Sequence, residues 1–209
     1  MGRGSSIGIF FMCALAAGRD LLARSKPSDI TETRSPSHMA FKTLDWTGKA
    51  LRLLDQTLLP MKVKYVAISD DKAMWEAIKA LRVRGAPAIG VAAAYGVFLG
   101  VAKRKPKSLL ALKKATTEVA AYLATSRPTA VNLFWALRRV EQVSEWLPAT
   151  TTVRDGLAAL LEEARKIEAE DVATCAAIAK HGAPLLHGLP GVLTHCNTGA
   201  LATAGAGTA

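Results

Sequence analysis

The residues Arg84-Gly85-Ala86-Pro87 are the first group in the sequence whose types and spacing could do chemistry. Glycine lets the backbone turn tightly, and proline suits the first turn of a helix, where no backbone N–H is needed. The free amides and the dipole at such a helix start favour an anion, and Arg84 can add a bidentate contact to phosphate. From spacing alone, an ordinary corner between two helices with a surface arginine explains the same residues.

Arg127-Pro128-Thr129 repeats this pattern, because an arginine again stands just before a probable helix start. A phosphate contact is again possible there, although the motif is weak when taken alone. Two such corners in one basic chain favour a phosphorylated ligand.

Cys196 is the third candidate. The apolar run 191–194 predicts a short strand, the segment 195–199 predicts a loop, and an Ala/Gly-rich helix is expected to follow. The end of such a strand faces the ligand in open α/β sheets, and a helix start nearby favours the thiolate form of a cysteine. His195 does not form a dyad with Cys196, since neighbours on a strand point to opposite faces. A small buried thiol that packs the strand is the alternative interpretation.

The elements that must position these residues are mostly helical. Short apolar stretches between residues 41 and 67 predict a small sheet, and Asp70 is a typical cap for a helix. That helix has an apolar face at helical spacing: Met74, Ala77, Ile78 and Leu81. Further helices are expected over 86–102, 107–124, from Ser126 to about Trp146, over 152–169 and over 171–187. The fold class is therefore α/β overall: a mainly helical N-terminal domain with a small β-sheet, then the first strand–loop–helix of a truncated Rossmann-like domain.

We expect three regions along the chain: a leader over 1–38, a helical domain over 39–149, and connecting helices with the start of a catalytic domain over 150–209. The leader carries the apolar run 7–18, which could be a secretory segment, and Gly2 with Ser6 fits a loose myristoylation pattern. A start codon assigned too far upstream explains it equally well.

Composition narrows the classes of function. The formal net charge of +10 could indicate a nucleic-acid binder, but much of the excess lies in one run without aromatic residues, which favours a solvated basic face. That run comprises Lys103, Arg104, Lys105, Lys107, Lys113 and Lys114.

The three cysteines, Cys13, Cys175 and Cys196, have no metal-like spacing and predict neither a disulfide framework nor a zinc site. The uncharged run 86–102 is better explained as a buried helix than as a membrane span.

Four segments together resemble one family, in its order and at family-like separations: Leu53–Pro60, Val83–Gly90, Arg127–Trp135 and Leu193–Gly205. The set is similar to the methylthioribose-1-phosphate isomerases and covers the chain from about Met39 to its end. These enzymes are aldose–ketose isomerases of methionine salvage, and they are related to regulatory subunits of translation initiation factor 2B.

The resemblance implies that Arg84, Gly85, Ala86 and Arg127 bind the substrate and that Cys196 is the catalytic thiol. It implies an enzyme that needs no cofactor and no metal, acts on a small sugar phosphate in the cytoplasm, and binds neither nucleic acid nor membrane. Full-length relatives are expected to form homodimers.

Some expected parts differ or are missing. The partnering aspartate and a substrate-binding glutamine are expected beyond Ala209, and Ala206 stands where the family usually has tyrosine. We therefore expect an incomplete fragment with little isomerase activity of its own. Two alternatives stay open: a non-catalytic regulatory or binding relative of the same fold, and an isomerase of ribose 1,5-bisphosphate.

Overall fold

The structure is a computed structural model that describes residues 42–189 and 191–208, and these form a small antiparallel sheet followed by five α-helices. The strands are β1 (Leu44–Trp46), β2 (Leu51–Leu54) and β3 (Tyr65–Ile68). The helices are α1 (Asp71–Lys79), α2 (Ala86–Arg104), α3 (Leu109–Ala124), α4 (Val131–Trp146) and α5 (Val153–Gly182). Single 3-10 turns lie at Gln56–Leu58, Ala183–Leu186 and Ala200–Ala202. The predicted leader, 1–38, lies outside the described residues.

The sheet has the order β1-β2-β3, and both pairs are antiparallel. Leu53 of β2 pairs with Leu44, and Leu51 pairs with Ile68; all four side chains are buried, whereas Arg52 between them is exposed. This alternation places one face of the sheet on the hydrophobic core, as period-2 patterning predicts. The predicted small sheet is therefore confirmed.

Helix α1 begins as predicted, because the Asp70 carboxylate accepts a hydrogen bond from the backbone N–H of Ala73 at 2.9 Å. Three of the four predicted core positions are buried: Met74, Ala77 and Ile78. Leu81 is instead 40% exposed, because the helix ends at Lys79 and Leu81 has a left-handed backbone with φ of 62°. That prediction was wrong because the helix ends before the apolar pattern does.

Helix α2 is the centre of the core and contacts α1, α3, α4 and α5. It is long and apolar enough to cross a membrane, but 72% of its most apolar window is buried inside the protein. Glycines allow its neighbours to approach closely: a Cβ on Gly100 would lie 2.7 Å from the Cβ of Asp71 and 2.9 Å from Cγ1 of Val119. Packing against other helices therefore accounts for the composition of α2.

Part of the basic run is engaged within the fold. Arg104 pairs with Asp71 at 3.0 Å, and the Lys113 ammonium donates at 3.0 Å to the backbone carbonyls of Glu145 and Leu147. Those carbonyls lie at the end of α4, where a cation compensates unpaired acceptors and the helix dipole. The basic residues near α3 thus help to hold helix ends in place.

The prediction of two helices over 152–169 and 171–187 was wrong, because the structure has one continuous helix there, α5. It runs without a break from Val153 to Gly182, with Thr152 as its cap. No proline or glycine interrupts residues 157–181, so nothing in the sequence requires a break there. Its first half packs on α2 and α4 through Leu160, Ala164 and Ile167.

The strand predicted over 191–194 does not form. Residues 191–195 are exposed and have no regular secondary structure, and the loop after them leads only to the 3-10 turn Ala200–Ala202. A strand needs a neighbour for its backbone hydrogen bonds, and within residues 42–189 and 191–208 the only sheet is β1-β2-β3, which does not include this segment. The helical and sheet parts of the predicted α/β fold are therefore present, while the strand and helix of the Rossmann-like start are not formed here.

The close contact at Gly100 generates a stability prediction. Gly100→Ala should lower the free energy of unfolding by about 1–3 kcal/mol, because the new methyl group would overlap Asp71 and the β-branched Val119. Urea denaturation followed by circular dichroism measures the change. Gly182→Ala is the matched control, since its Cβ would meet nothing within 4 Å, and it should be neutral or slightly stabilising. Equal effects of the two substitutions would contradict the packing argument.

A second prediction concerns Asp55, which is buried after β2. Burial alone favours the neutral acid, but hydrogen bonds from Thr57 and the ion pair with Arg82, at 2.5 Å, outweigh it and hold the pKa of Asp55 below its usual range. A carboxyl with a lowered folded pKa stabilises the fold above its unfolded pKa and loses that contribution as the pH falls through the folded pKa.

Asp55→Asn should therefore lower the free energy of unfolding at pH 7 by about 1–3 kcal/mol, and the difference from wild type should shrink below about pH 4. Urea titrations at several pH values measure this. Glu118→Gln, which removes an exposed pair with Lys114 at 3.9 Å, is the control and should change little. A difference independent of pH would show that the ionised form of Asp55 is not what stabilises the fold.

Candidate functional site

The first predicted corner lies at the start of α2. Gly85 is the cap residue of this helix, with φ of 90° and ψ of 135°, and no side chain caps the helix. Ala86 is the first helical residue and Pro87 the second; Arg84 and Ala86 are both exposed. Because Pro87 has no N–H and Ala88 is buried, the exposed part of this helix start is Ala86, beside Arg84. A helix start next to an arginine is an arrangement that suits an anion.

Gly85 is required for two separate reasons. Its positive φ is unfavourable for any residue with a side chain. In addition, a Cβ at this position would lie 2.3 Å from the Cα of Ala202 and 2.7 Å from its carbonyl oxygen. The backbone of the first corner therefore packs directly on the 3-10 turn Ala200–Ala202.

The second predicted corner lies just before α4, which begins at Val131 and not at Ser126 as predicted. Arg127 is half-buried, its carbonyl accepts from the N–H of Ala130 at 3.1 Å, and Ala130 caps α4 without a side-chain hydrogen bond. The two helices meet close to these starts, since a Cβ on Gly90 of α2 would lie 3.1 Å from the carbonyl oxygen of Asn132 in α4. The fold therefore brings the two arginine corners to the same end of two packed helices.

The segment 198–208 docks on this end of the fold through side chains that sequence reasoning missed. The Thr43 hydroxyl donates to the carbonyl of Ala200 at 2.8 Å, and the Gln56 amide donates to the carbonyl of Leu201 at 2.7 Å. The sequence motif Leu53–Pro60 contains Gln56, but nothing in the sequence alone indicates this role.

The same segment is tied to α5 by Asp171, whose carboxylate accepts from the N–H of Ala204 at 2.6 Å. Burial raises the pKa of the Asp171 carboxyl, and the hydrogen bond from Ala204 opposes part of that effect. The segment also closes on itself, because Gly199 and Gly207 form a β-bridge and Thr208 N–H donates to the Thr198 carbonyl at 2.7 Å. The segment is therefore held by hydrogen bonds from Thr43 and Gln56, by close packing on Gly85 before α2, and by the hydrogen bond to Asp171 of α5.

Cys196 lies just before this docked segment, in an exposed loop, and its backbone is left-handed with φ of 66°. The helix predicted to follow it is not formed in the described residues, where the next element is the 3-10 turn Ala200–Ala202. The fold thus brings the starts of α2 and α4 together, and within the described residues no hydrogen bond joins Cys196 to Arg84 or Arg127. Cys175, in contrast, is buried at 1% exposure in α5.

A pocket of about 300 Å³ opens between α2, α4 and α5. It is lined by Pro87, Val91, Asn132, Trp135, Ile167, Glu170, Asp171, Thr174, Cys175 and Thr208. The Arg139 guanidinium lies 5.2 Å from the centroid of the Trp135 ring and pairs with Glu163 and Glu170. The hydrogen bond from Arg139 lowers the pKa of the Glu170 carboxyl.

Across residues 42–189 and 191–208, no group of three or more His, Cys, Asp or Glu side chains could hold a metal ion. The expectation that the protein needs neither metal nor cofactor stays a prediction.

Several known proteins are similar to this chain in sequence or in structure. A relative from Petrotoga mobilis, named 5-deoxyribose 1-phosphate isomerase, is 51% identical over 159 residues, which are 76% of this chain and 46% of that protein. The crystal structure of 5-methylthioribose 1-phosphate isomerase from Pyrococcus horikoshii has a TM-score of 0.75 at 35% identity, covering 84% of this chain and 49% of that one. The delta subunit of translation initiation factor eIF-2B from A. fulgidus has a TM-score of 0.71 at 36% identity, covering 79% and 47%.

The chain spans about half the length of the curated relatives that it matches. The resemblance indicated by the sequence motifs is confirmed, and three of the four motifs lie within the residues that the family profile matches. That profile, of the initiation factor 2 subunit family, covers residues 82–206, and the chain belongs to this family.

Proposed function

We propose that this chain carries the phosphate-binding part of an aldose–ketose isomerase that interconverts 5-methylthioribose 1-phosphate and 5-methylthioribulose 1-phosphate. The observation that carries the proposal is the meeting of two uncapped helix starts, each preceded by an arginine, at one end of the fold. Relatives named as sugar-phosphate isomerases support it.

The phosphate is assigned to Arg84, Gly85, Ala86 and Arg127. The backbone N–H groups of Gly85 and Ala86 donate hydrogen bonds to phosphate oxygens, and the dipoles of α2 and α4 favour negative charge at the same place. Gly85 allows the chain to turn close to the ligand, and the two guanidinium groups supply charge and paired donors.

Cys196 is proposed as the catalytic thiol. A sugar with phosphate on its anomeric oxygen cannot open freely to an aldehyde, so the enzyme must assist the opening. The bond between C1 and the ring oxygen breaks, the ring oxygen gains a proton, a hydrogen moves from C2 to C1, and the C2 hydroxyl loses its proton to become a carbonyl. No electrons are gained or lost overall, so the thiol is needed only to move protons, together with the carboxylate that the family supplies from a later strand–loop.

The finer assignments belong to the same proposal. The substrate could instead be 5-deoxyribose 1-phosphate, the molecule in the name of the Petrotoga mobilis relative, or ribose 1,5-bisphosphate. We also propose a cytoplasmic location, a homodimer for the full-length relatives and a domain boundary at residue 149. We expect the 209-residue chain alone to show little isomerase turnover. Robust turnover by the purified chain would contradict that last point.

A non-catalytic binding module is the second candidate, and the structural similarity to the eIF-2B delta subunit favours it. It requires no sugar-phosphate site. Binding of a sugar 1-phosphate that depends on the two arginine corners therefore separates the two candidates.

We expect Arg84→Met and Arg127→Met each to weaken binding of 5-methylthioribose 1-phosphate by about 10- to 100-fold, since each removes charged hydrogen bonds to phosphate. Isothermal titration calorimetry measures the dissociation constants. Arg138→Met is the matched control, because Arg138 is an exposed residue of α4 that pairs with Glu145, and it should bind like wild type. Absence of binding by the wild-type chain at millimolar ligand, or equal losses in all three variants, would contradict the assignment.

Alkylation tests the placement of Cys196 at the site. Iodoacetamide should modify the exposed Cys196, and saturating 5-methylthioribose 1-phosphate should slow that modification about fivefold or more, because a bound ligand restricts access to the thiol. Peptide mass mapping separates the three cysteines, and the buried Cys175 serves as the internal control that stays unmodified in the folded chain. An unchanged rate at Cys196 under saturating ligand would remove it from the site.

A further inference from the structure

We infer that the pocket between α2, α4 and α5 receives the 5-end of the sugar phosphate, accepts an uncharged apolar substituent there, and rejects a second phosphate. This inference rests on the proposed function, since it assigns the remainder of the ligand whose 1-phosphate lies at the arginine corners. It makes Trp135 and Asp171 determinants of substrate specificity.

The pocket adjoins the proposed phosphate site. One lining residue is Pro87, which follows Ala86 directly, and another is Asn132, in the first turn of α4 and close to Gly90 of α2. A ligand whose phosphate lies on the first amides of α2 therefore has this pocket next to it. The volume of about 300 Å³ is within the range of small-molecule sites.

Part of the pocket wall is apolar. Pro87, Val91, Trp135 and Ile167 contribute hydrocarbon and aromatic surface. Because such surface gains by removing an apolar group from water, it favours a methylthio or methyl group over a hydroxyl at C5. The names of the relatives from Petrotoga mobilis and Pyrococcus horikoshii specify a 5-deoxy and a 5-methylthio sugar, and both sugars are apolar at this carbon.

The indole of Trp135 is held before any ligand arrives. Arg139 stacks on its ring at 5.2 Å and is fixed in turn by Glu163, at 2.5 Å, and by Glu170. A ring whose position is already set loses less conformational freedom when a ligand packs on it. Trp135 is 48% exposed, so its substitution removes pocket wall rather than buried core.

The other part of the wall is acidic. The negative charge of Glu170 is balanced by its ion pair with Arg139. The Asp171 carboxylate instead accepts a hydrogen bond from the neutral backbone N–H of Ala204. A phosphate on C5 would be brought next to these carboxylates, and like charges in a partly desolvated pocket repel. The Asp171 carboxylate can instead accept a hydrogen bond from a sugar hydroxyl, and the Thr174 hydroxyl can accept or donate one.

The test measures dissociation constants by calorimetry for 5-methylthioribose 1-phosphate, ribose 1-phosphate and ribose 1,5-bisphosphate at one ionic strength. Trp135→Ala should weaken binding of the methylthio ligand about tenfold while changing that of ribose 1-phosphate less than about threefold. Trp146→Ala is the matched control, because Trp146 is 77% exposed at the far end of α4 and does not line the pocket.

Asp171→Asn removes the charge but keeps an oxygen that can accept from the Ala204 N–H, so the docked segment should stay in place. This variant should bind ribose 1,5-bisphosphate about tenfold more tightly than wild type, with little change for the methylthio ligand. Equal affinities of wild type for all three ligands, or variants that leave these ratios unchanged, would overturn the inference while leaving the proposed function intact. Failure of every sugar 1-phosphate to bind would overturn both.

Discussion

The structure depends on one constraint: α2 has no polar face over most of its length and must be covered by protein. Its neighbours α1, α3, α4 and α5 provide that cover. Side-chain volume limits how closely they can pack, and glycines such as Gly96 and Gly100 make the required approach possible. Once α2 is enclosed, its first turn can emerge only at the edge of the core. The amides proposed to bind phosphate are therefore positioned by the same packing that stabilises the fold.

Charge is distributed in a way that fits this arrangement. Arg82, Arg104 and Arg139 are each paired with carboxylates and link one element to another. Arg84 instead lies exposed at a helix start, where the dipole disfavours an additional cation and favours an anion. Three arginines of this basic chain thus connect elements of the fold, so net charge alone is a poor guide to what it binds.

Local signals in the sequence predicted local structure well. The cap at Asp70, the alternation in β2 and the glycine–proline corner at residues 85–87 each depend on neighbouring residues only, and all three are present. Two local predictions still failed, the inclusion of Leu81 in the buried face of α1 and the break within α5. The other predictions failed where distant residues decide the outcome. The segment 191–194 has strand-like composition, but a strand needs a partner that the described residues do not offer. In the sequence, Asp171 resembles any solvent-exposed acidic residue of a helix. Its role in holding the segment 198–208 depends on the tertiary contact with Ala204.

The segment 198–208 is joined to the sheet side by hydrogen bonds between residues 157 positions apart, Thr43 and Ala200, and 145 positions apart, Gln56 and Leu201. Contacts of such long range can form only after the intervening helices have brought the chain ends together, because closing a long loop costs entropy. We therefore expect the helical core to assemble before the surroundings of the proposed site are completed. By the same reasoning we expect this segment to detach early in local unfolding, and a ligand that binds only when it is docked would slow that detachment.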